Sequence, residues 1–365
     1  TNAGKGGTTS APYSSGEGNV AVGYQALDAF TTGDNNIAIG KNAFGALTTA
    51  NNNIAIGQGA GDVVTTGAAN ILIGSDAGGS ITTDQYVTIV GYSSGQYMEA
   101  GNGNRYNSYF GAGAGYRGGP GIHQTYIGAS AGNYATGSYN TFGGTTSAPY
   151  SSGENNTALG YQALKDFTTG DNNVAIGYQS SEDATSAHDN IAIGYQALQS
   201  CKTGGGNVAI GYQALKTADH TRVDSNVMIG YRAGDSITES QYCTGLGAET
   251  SFDNDEDNQT AIGYGAAATD QNDIAIGNTS VDSIKGQVDF GVYSDRRIKK
   301  NIVDNDLGLD FINDLKPRKF NKINPAEYPE EIRMSVDGKS GDWTDDQANK
   351  VWDGLIAQEV KEAID

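Results

Sequence analysis

Short apolar runs of alternating character recur along most of this chain, each closed by glycine and separated by polar stretches. They read Val20-Ala21-Val22, Ile37-Ala38-Ile39, Ile54-Ala55-Ile56 and Val174-Ala175-Ile176. Alternation with period two over so few residues is the signature of a β-strand. The full unit is N-x-A-[VIL]-G, as in NVAVG (19–23), NIAIG (36–40 and 53–57) and NVAIG (173–177). Its closing glycines fall at Gly23, Gly40, Gly57, Gly74, Gly91, Gly111, Gly128, Gly143, Gly160, Gly177, Gly194, Gly211, Gly230, Gly247, Gly263 and Gly277, mostly 17 residues apart, with departures of 20, 15, 19, 16 and 14. Self-similarity of this kind means stacked supersecondary units that bury their apolar faces on one another.

Within one coil, the pattern predicts that the two branched residues point inward. The alanine then faces out, against something close enough to exclude a larger side chain. Glycine turns the corner at positive φ. A second segment, Y-Q-A-L, follows at 24–27, 161–164, 195–198 and 212–215, and a polar turn such as TTGDNN (31–36, 168–173) closes the coil. Asparagine at one phase of successive coils can form a ladder in which each amide bonds the next. Sixteen coils at roughly 4.8 Å each make a stack on the order of 75 Å. A longer duplication, GGTTSAPYSSGE at 6–17 and again at 143–154, indicates growth by block copying.

Composition narrows the function. Glycine at 53 of 365 residues is periodic and so marks corners, while the hydrophobic fraction of 37% suits a thin solenoid. Net charge is −20: up to Phe290 there are 26 acids and 10 bases, and from Gly291 onward 16 and 12. Such a surface disfavours nucleic acid and anionic membrane as partners. No apolar run reaches the ~18 residues of a membrane span. Cys201 and Cys243 sit at different phases of the repeat, which speaks against a disulfide between them. The chain opens at Thr1 without an initiator Met, which reads as a fragment or a processed product.

The repeats resemble the left-handed parallel β-roll head of the YadA-like trimeric autotransporter adhesins, whose motif is a similar N-S-V-A-I-G. The resemblance covers about 280 residues. It implies three rolls packed around one axis, a homotrimer in which the small outward alanine lies against its neighbours.

After Gly277 the repeat stops and the composition changes. The segment 291–302 (GVYSDRRIKKNI) is basic, 307–315 has helical apolar spacing, 318–321 reads as a strand, and 354–365 (GLIAQEVKEAID) moves from strand to helix. Ser294-Asp295 with Lys299, then Leu315-Lys316-Pro317, then 354–360, resemble in order the self-cleaving intramolecular chaperone of phage tail spikes and fibres, the endosialidase type. The resemblance implies a trimeric chaperone that templates the preceding fibre and is released by a cut. Ser294 would be the nucleophile, Lys299 its base and Tyr293-Ser294 the scissile bond. Lys322 stands where the family usually carries an aromatic residue, and the family domain continues beyond A-Q-E-V into trimerising helices.

The expected architecture is therefore an all-β repeat solenoid, a left-handed parallel β-roll, over 1–290, followed by a small α+β chaperone domain over 291–365. The widened coil between Tyr92 and Phe110 gathers Tyr97, Tyr106, Tyr109, Phe110 and Tyr116, aromatic rings suited to stacking on sugar faces and placed where binding loops usually sit. They are the candidate receptor contacts. DNDEDN (253–258) fails as an EF-hand because Asn258 and Tyr264 replace the required Gly and Glu. GAGAGYRGGPG (111–121) lacks a dinucleotide fingerprint. His123, His188 and His220 have no ligand-spaced neighbours, so neither a metal nor a cofactor is expected. The expected function is host-surface adhesion by an extracellular fibre, most simply a phage tail fibre, with a host glycan or protein as partner and one self-cleavage event. A bacterial surface adhesin is the alternative, and a capsule depolymerase, which needs two carboxylates in a cleft, a further one.

Overall fold

The computed structural model describes residue 4, residues 15–99, 103, 105–218, 223–254 and 256–284, and in the C-terminal part residues 315, 317–321 and 351–354. Contacts divide the chain into two compact units, Thr1–Ile284 and Lys285–Asp365, against an expected boundary at 290.

The first unit is a parallel β-solenoid. Sixteen three-residue strands, from Val20–Val22 to Ile274–Ile276, pair in one sheet in near-sequential order, each with the same phase of the next coil. Among the described residues there is no helix. The register aligns Ala21 with Ala38, Ala38 with Ala55, and Ala175 with Ala192. The second segment of each coil is a run of turns, with Gln162 and Leu164 at φ 56° and 52°. Left-handed backbone costs a non-glycine residue of order 1 kcal/mol or more. Coil-to-coil bonds offset it: Leu164 N–H donates forward to Ser180 O (3.1 Å), and Gln179 N–H donates back to Tyr161 O (2.9 Å).

The corner glycines have two reasons to be glycine. Gly177 lies at φ 137°, and a Cβ there would stand 2.3 Å from Gly194 O in the next coil. One position differs from the sequence reading. The corner of the eighth coil is Gly144 (φ 119°), because Gly143 is the last residue of the strand Thr141–Gly143. The spacings around it become 16 and 16 in place of 15 and 17.

The orientation of the strands corrects the expectation. Ala38, Ala55, Ala175, Ala192 and Ala209 are fully buried, whereas Ile39 and Ile56 are each 37% exposed. The alanine faces the core of its own coil and the branched residues face out. Its small size answers to the second layer: Ala38 shares the core with Phe44, Ala158 with Leu164, Ala192 with Leu198. Where the strand instead supplies a large side chain, the residue six positions on is glycine, or Ala148 in the case of Phe142. Leu72 meets Gly78, Ile89 Gly95, Tyr109 Gly115, Tyr126 Gly132 and Met228 Gly234, and in each case a Cβ on the glycine would fall within 3.0 Å of that side chain. Gly245 reverses the trade, with Phe252 from a second small sheet filling the space. At Gly61, six residues after Ala55, the space is filled instead by Leu72 and Phe44 from the neighbouring coils, as close packing requires.

The asparagine ladder forms as its spacing predicts. Asn36 Nδ2 donates to Asn19 Oδ1, Asn53 to Asn36, Asn190 to Asn173 and Asn226 to Asn207, at 3.1–3.2 Å. Cys243 occupies the ladder phase next, and its backbone N–H still donates to Asn226 Oδ1 (2.8 Å). Cys201 and Cys243 are both buried free thiols.

In the second unit, Arg318–Asn321 is the strand read from the sequence, paired antiparallel with Val351–Gly354. All of the helix expected over 307–315 except Leu315, and the segment after Gly354, lie outside the described residues.

Candidate functional site

The coils between Tyr86 and Tyr150 depart from the regular repeat, and Arg105 among them forms a buried ion pair with Asp84. Arg105 and Asp84 are both essentially inaccessible, with Nε donating to Oδ1 at 2.5 Å. Nη1 donates to Gly119 O at 3.0 Å and Nη2 to Glu99 O. One guanidinium thus satisfies three acceptors from three coils. Each of its bonds answers a group that could not otherwise be buried cheaply.

The five candidate rings do not form one cluster. Tyr109 is fully buried and is corrected to a core residue: it holds the middle position of its strand, and so stacks inside on Tyr126, which stacks on Phe142, at 4.8 and 5.1 Å. Its hydroxyl donates to Gln124 Oε1. Phe110, 40% exposed, is the outward neighbour in the same strand. Tyr106 stands two residues before its strand, sandwiched at 5.1 Å between Tyr86 and His123, and His123 stacks on Tyr139. A similar column, Tyr161-Tyr178-Tyr195-Tyr212-Tyr231, runs at 5.0–5.3 Å through the later coils. Rings stacked along a solenoid cover one another's faces and show solvent only edges and hydroxyls. Neither column offers a sugar a face to stack on, except at its ends.

Tyr97 and Tyr116 are different. Their rings meet edge to face, 5.1 Å apart at 88°. They line an open groove of about 530 Å³ with Tyr92, Ser93, Ser130 and Asn133. The Tyr116 phenol is held above its ordinary value by desolvation among these rings and by its hydrogen bond with Tyr97. Arg117 sets its guanidinium 5.6–6.0 Å from the centres of Tyr97, Tyr116 and Tyr134. The sequence reading passed over Arg117, Tyr134 and the Tyr86-His123-Tyr139 column. The column was legible, since each member stands two residues before a strand. The arginine was not, because nothing periodic marks it.

Among the described residues no three His, Cys, Asp or Glu come together as metal ligands. In the acidic turn, Asn254 Oδ1 and Asp257 Oδ1 accept Thr238 N–H and Gln241 N–H at 2.9 Å, so they cap the neighbouring coil. His123 and His188 are exposed; His220 lies outside the described residues. No helix of the described residues is long and apolar enough to cross a membrane. Tyr293, Ser294 and Lys299 lie outside the described residues.

Residues 294–365 match the Peptidase_S74 family, described as chaperone of endosialidase, and the match opens at Ser294. No curated protein matches the chain. The chain thus carries a parallel β-solenoid and, after it in the sequence, a segment similar to the endosialidase-type chaperone.

Proposed function

We propose that the chain is the repeat and chaperone portion of a homotrimeric extracellular fibre, a phage tail fibre that attaches the virion to its host surface. The observation that carries this reading is the outer face of the sheet. The last strand residue is Val, Ile, Leu or Phe in fifteen of the sixteen coils, and among these Val22, Ile39, Phe110, Ile127, Leu159, Ile229 and Ile276 are 37–55% exposed. An aliphatic ladder of that length is far larger than a solitary soluble protein leaves in water. Covering it is worth roughly 1 kcal/mol per side chain. Identical copies around an axis cover it in matching register, and a chaperone family at the C-terminal end supplies a means of setting that register.

Release of the chaperone follows from Ser294 and Lys299. The Lys299 amine takes the hydroxyl proton, and Ser294 Oγ attacks the Tyr293 carbonyl carbon. An ester replaces the peptide bond as the Ser294 nitrogen takes a proton, and water then cleaves the ester. Intact mass of the full gene product beside Ser294→Ala tests the cut, and an unheated denaturing gel tests the trimer. The expected result is a product ending at Tyr293 in the wild type alone and a heat-sensitive trimer band. A monomer that is uncut in both proteins, and that does not sediment with any bacterial cell in a host panel, overturns the reading.

A further inference from the structure

The groove beside Tyr97 and Tyr116 combines three features. First, Tyr92 is 67% exposed and takes part in no ring stack among the described residues, so no other ring covers its faces. Second, Asn133 lies in the groove wall, and its Oδ1, itself buried, has no hydrogen-bond partner among the described residues. Third, the exposed cation Arg117 makes no ion pair among the described residues, although the chain carries a net charge of −20. Its contacts are the three ring faces, which hold the guanidinium in place and leave its N–H donors to a ligand.

These features select a ligand. Free ring faces suit the apolar face of a pyranose, and serine and asparagine groups suit hydroxyls. A guanidinium held by rings and unopposed by any carboxylate suits a planar anion that it can grip with two hydrogen bonds. A neutral sugar would leave that cation unused. A general polyanion would be repelled by the rest of the surface beyond a Debye length of about 8 Å at physiological salt. The groove is lined from the second segment of each coil, whereas the aliphatic ladder lies on the strand layer, so both surfaces can be occupied at once.

We propose that this groove binds a carboxylate-bearing saccharide unit, with Arg117 pairing the carboxylate and Tyr92 supplying the stacking face. The proposal names the ligand class for the attachment surface described above and rests on that reading. The five-coil region is thus the receptor-contacting part of the repeat array, and the regular coils on either side are its support.

The test uses the full chain and immobilised oligosaccharides ending in glucuronic acid or sialic acid, each beside its carboxyl-reduced counterpart. The expected result is binding of at least one acidic probe, lost on carboxyl reduction and weakened by added salt. Arg117→Gln should lower affinity about tenfold or more, the usual scale for a charge-assisted pair. Arg117→Lys should recover part of it, and Tyr92→Ala should weaken binding by a similar factor. Tyr178→Ala, in a closed ring column, should leave it unchanged. Equal binding of acidic and reduced probes, no effect of Arg117→Gln, or no binding to any acidic probe overturns the proposal. Sedimentation of the same protein with host cells separates these failures from failure of the attachment reading, because a fibre that still binds cells has only a different ligand.

Discussion

The Cβ that Gly132 lacks would lie 2.5 Å from the ring of Tyr126, six residues earlier in the same coil. The two positions share one volume, and the regular coils divide it the other way, as Ala192 with Leu198. Leu198 occupies the Gly132 phase at φ 52°, so the backbone there accepts leucine. Tyr126→Ala alone should cost ~3–5 kcal/mol through the cavity it leaves. Gly132→Leu alone should cost ~1–3 kcal/mol by overpacking. The double variant should be more stable than the sum of the two by ~1–3 kcal/mol. Denaturant titrations of the four proteins measure this coupling; simple additivity would refute the shared volume.

Asn173 uses its whole side-chain amide. Oδ1 accepts both the backbone N–H and the Nδ2 of Asn190 (3.1 and 3.2 Å), while Nδ2 donates to Asn156 Oδ1 and Ala187 O (3.1 and 2.8 Å). Asn173→Ala strands buried donors and acceptors in two flanking coils, so the expected loss is about 2–4 kcal/mol. The unfolding midpoint in urea reads it. An unchanged midpoint would mean that strand pairing alone holds the coils in register.

Much of this fold is legible in the sequence because its repeat is. The strands, the corner glycines and the Asn19-Asn36-Asn53 ladder follow from spacing and from the bonding capacity of asparagine. Which face of the strand is buried does not. Period two separates Ala38 from Ile37 and Ile39 without saying which side meets the core, and a small residue fits a crowded interior as well as a crowded exterior. The information lies six residues on, in the exchange of Phe44 or Leu164 for Gly115 or Gly132. That exchange also explains why Tyr109, grouped with exposed rings by proximity in sequence, is buried. The Arg105–Asp84 pair spans 21 residues and repeats nowhere, so no pattern announces it.

Alkaline pH should expose the buried titratable groups. Burial pushes the Cys201 thiol up from 9.0 to about 12, and desolvation raises the Tyr109 and Tyr126 phenols above their ordinary value of 10.0. In this range the native state keeps protons that the unfolded chain gives up. Stability therefore is unaffected by these groups below pH 9 and falls as pH rises from 9 toward 12. Tyr126→Phe and Cys201→Ala should each flatten that fall. Unfolding midpoints between pH 8 and pH 11 check the slope. Iodoacetamide should label Cys201 in denaturant and spare it in the native protein.

The aliphatic ladder gives the sharpest separation between fold and assembly. Ile127 and Ile229, 53% and 39% exposed, lie in coils six apart on the outer face of the sheet, while their neighbours Tyr126 and Met228 fill the core. A carboxylate at either outer position stays hydrated in an isolated chain, so each single coil should tolerate it within about 0.5 kcal/mol. Buried against two identical copies, the same carboxylates would stand unpaired among aliphatic side chains and beside one another, at a cost of several kcal/mol per charge. Ile127→Asp/Ile229→Asp should therefore keep the circular-dichroism spectrum of the wild type and lose the proposed trimer in light scattering at neutral pH. Below about pH 4 the acids are protonated, and association should return in part. A variant that remains trimeric at pH 7 would place the subunit contact on another face of the coil, and the exposed ladder would then need a different occupant.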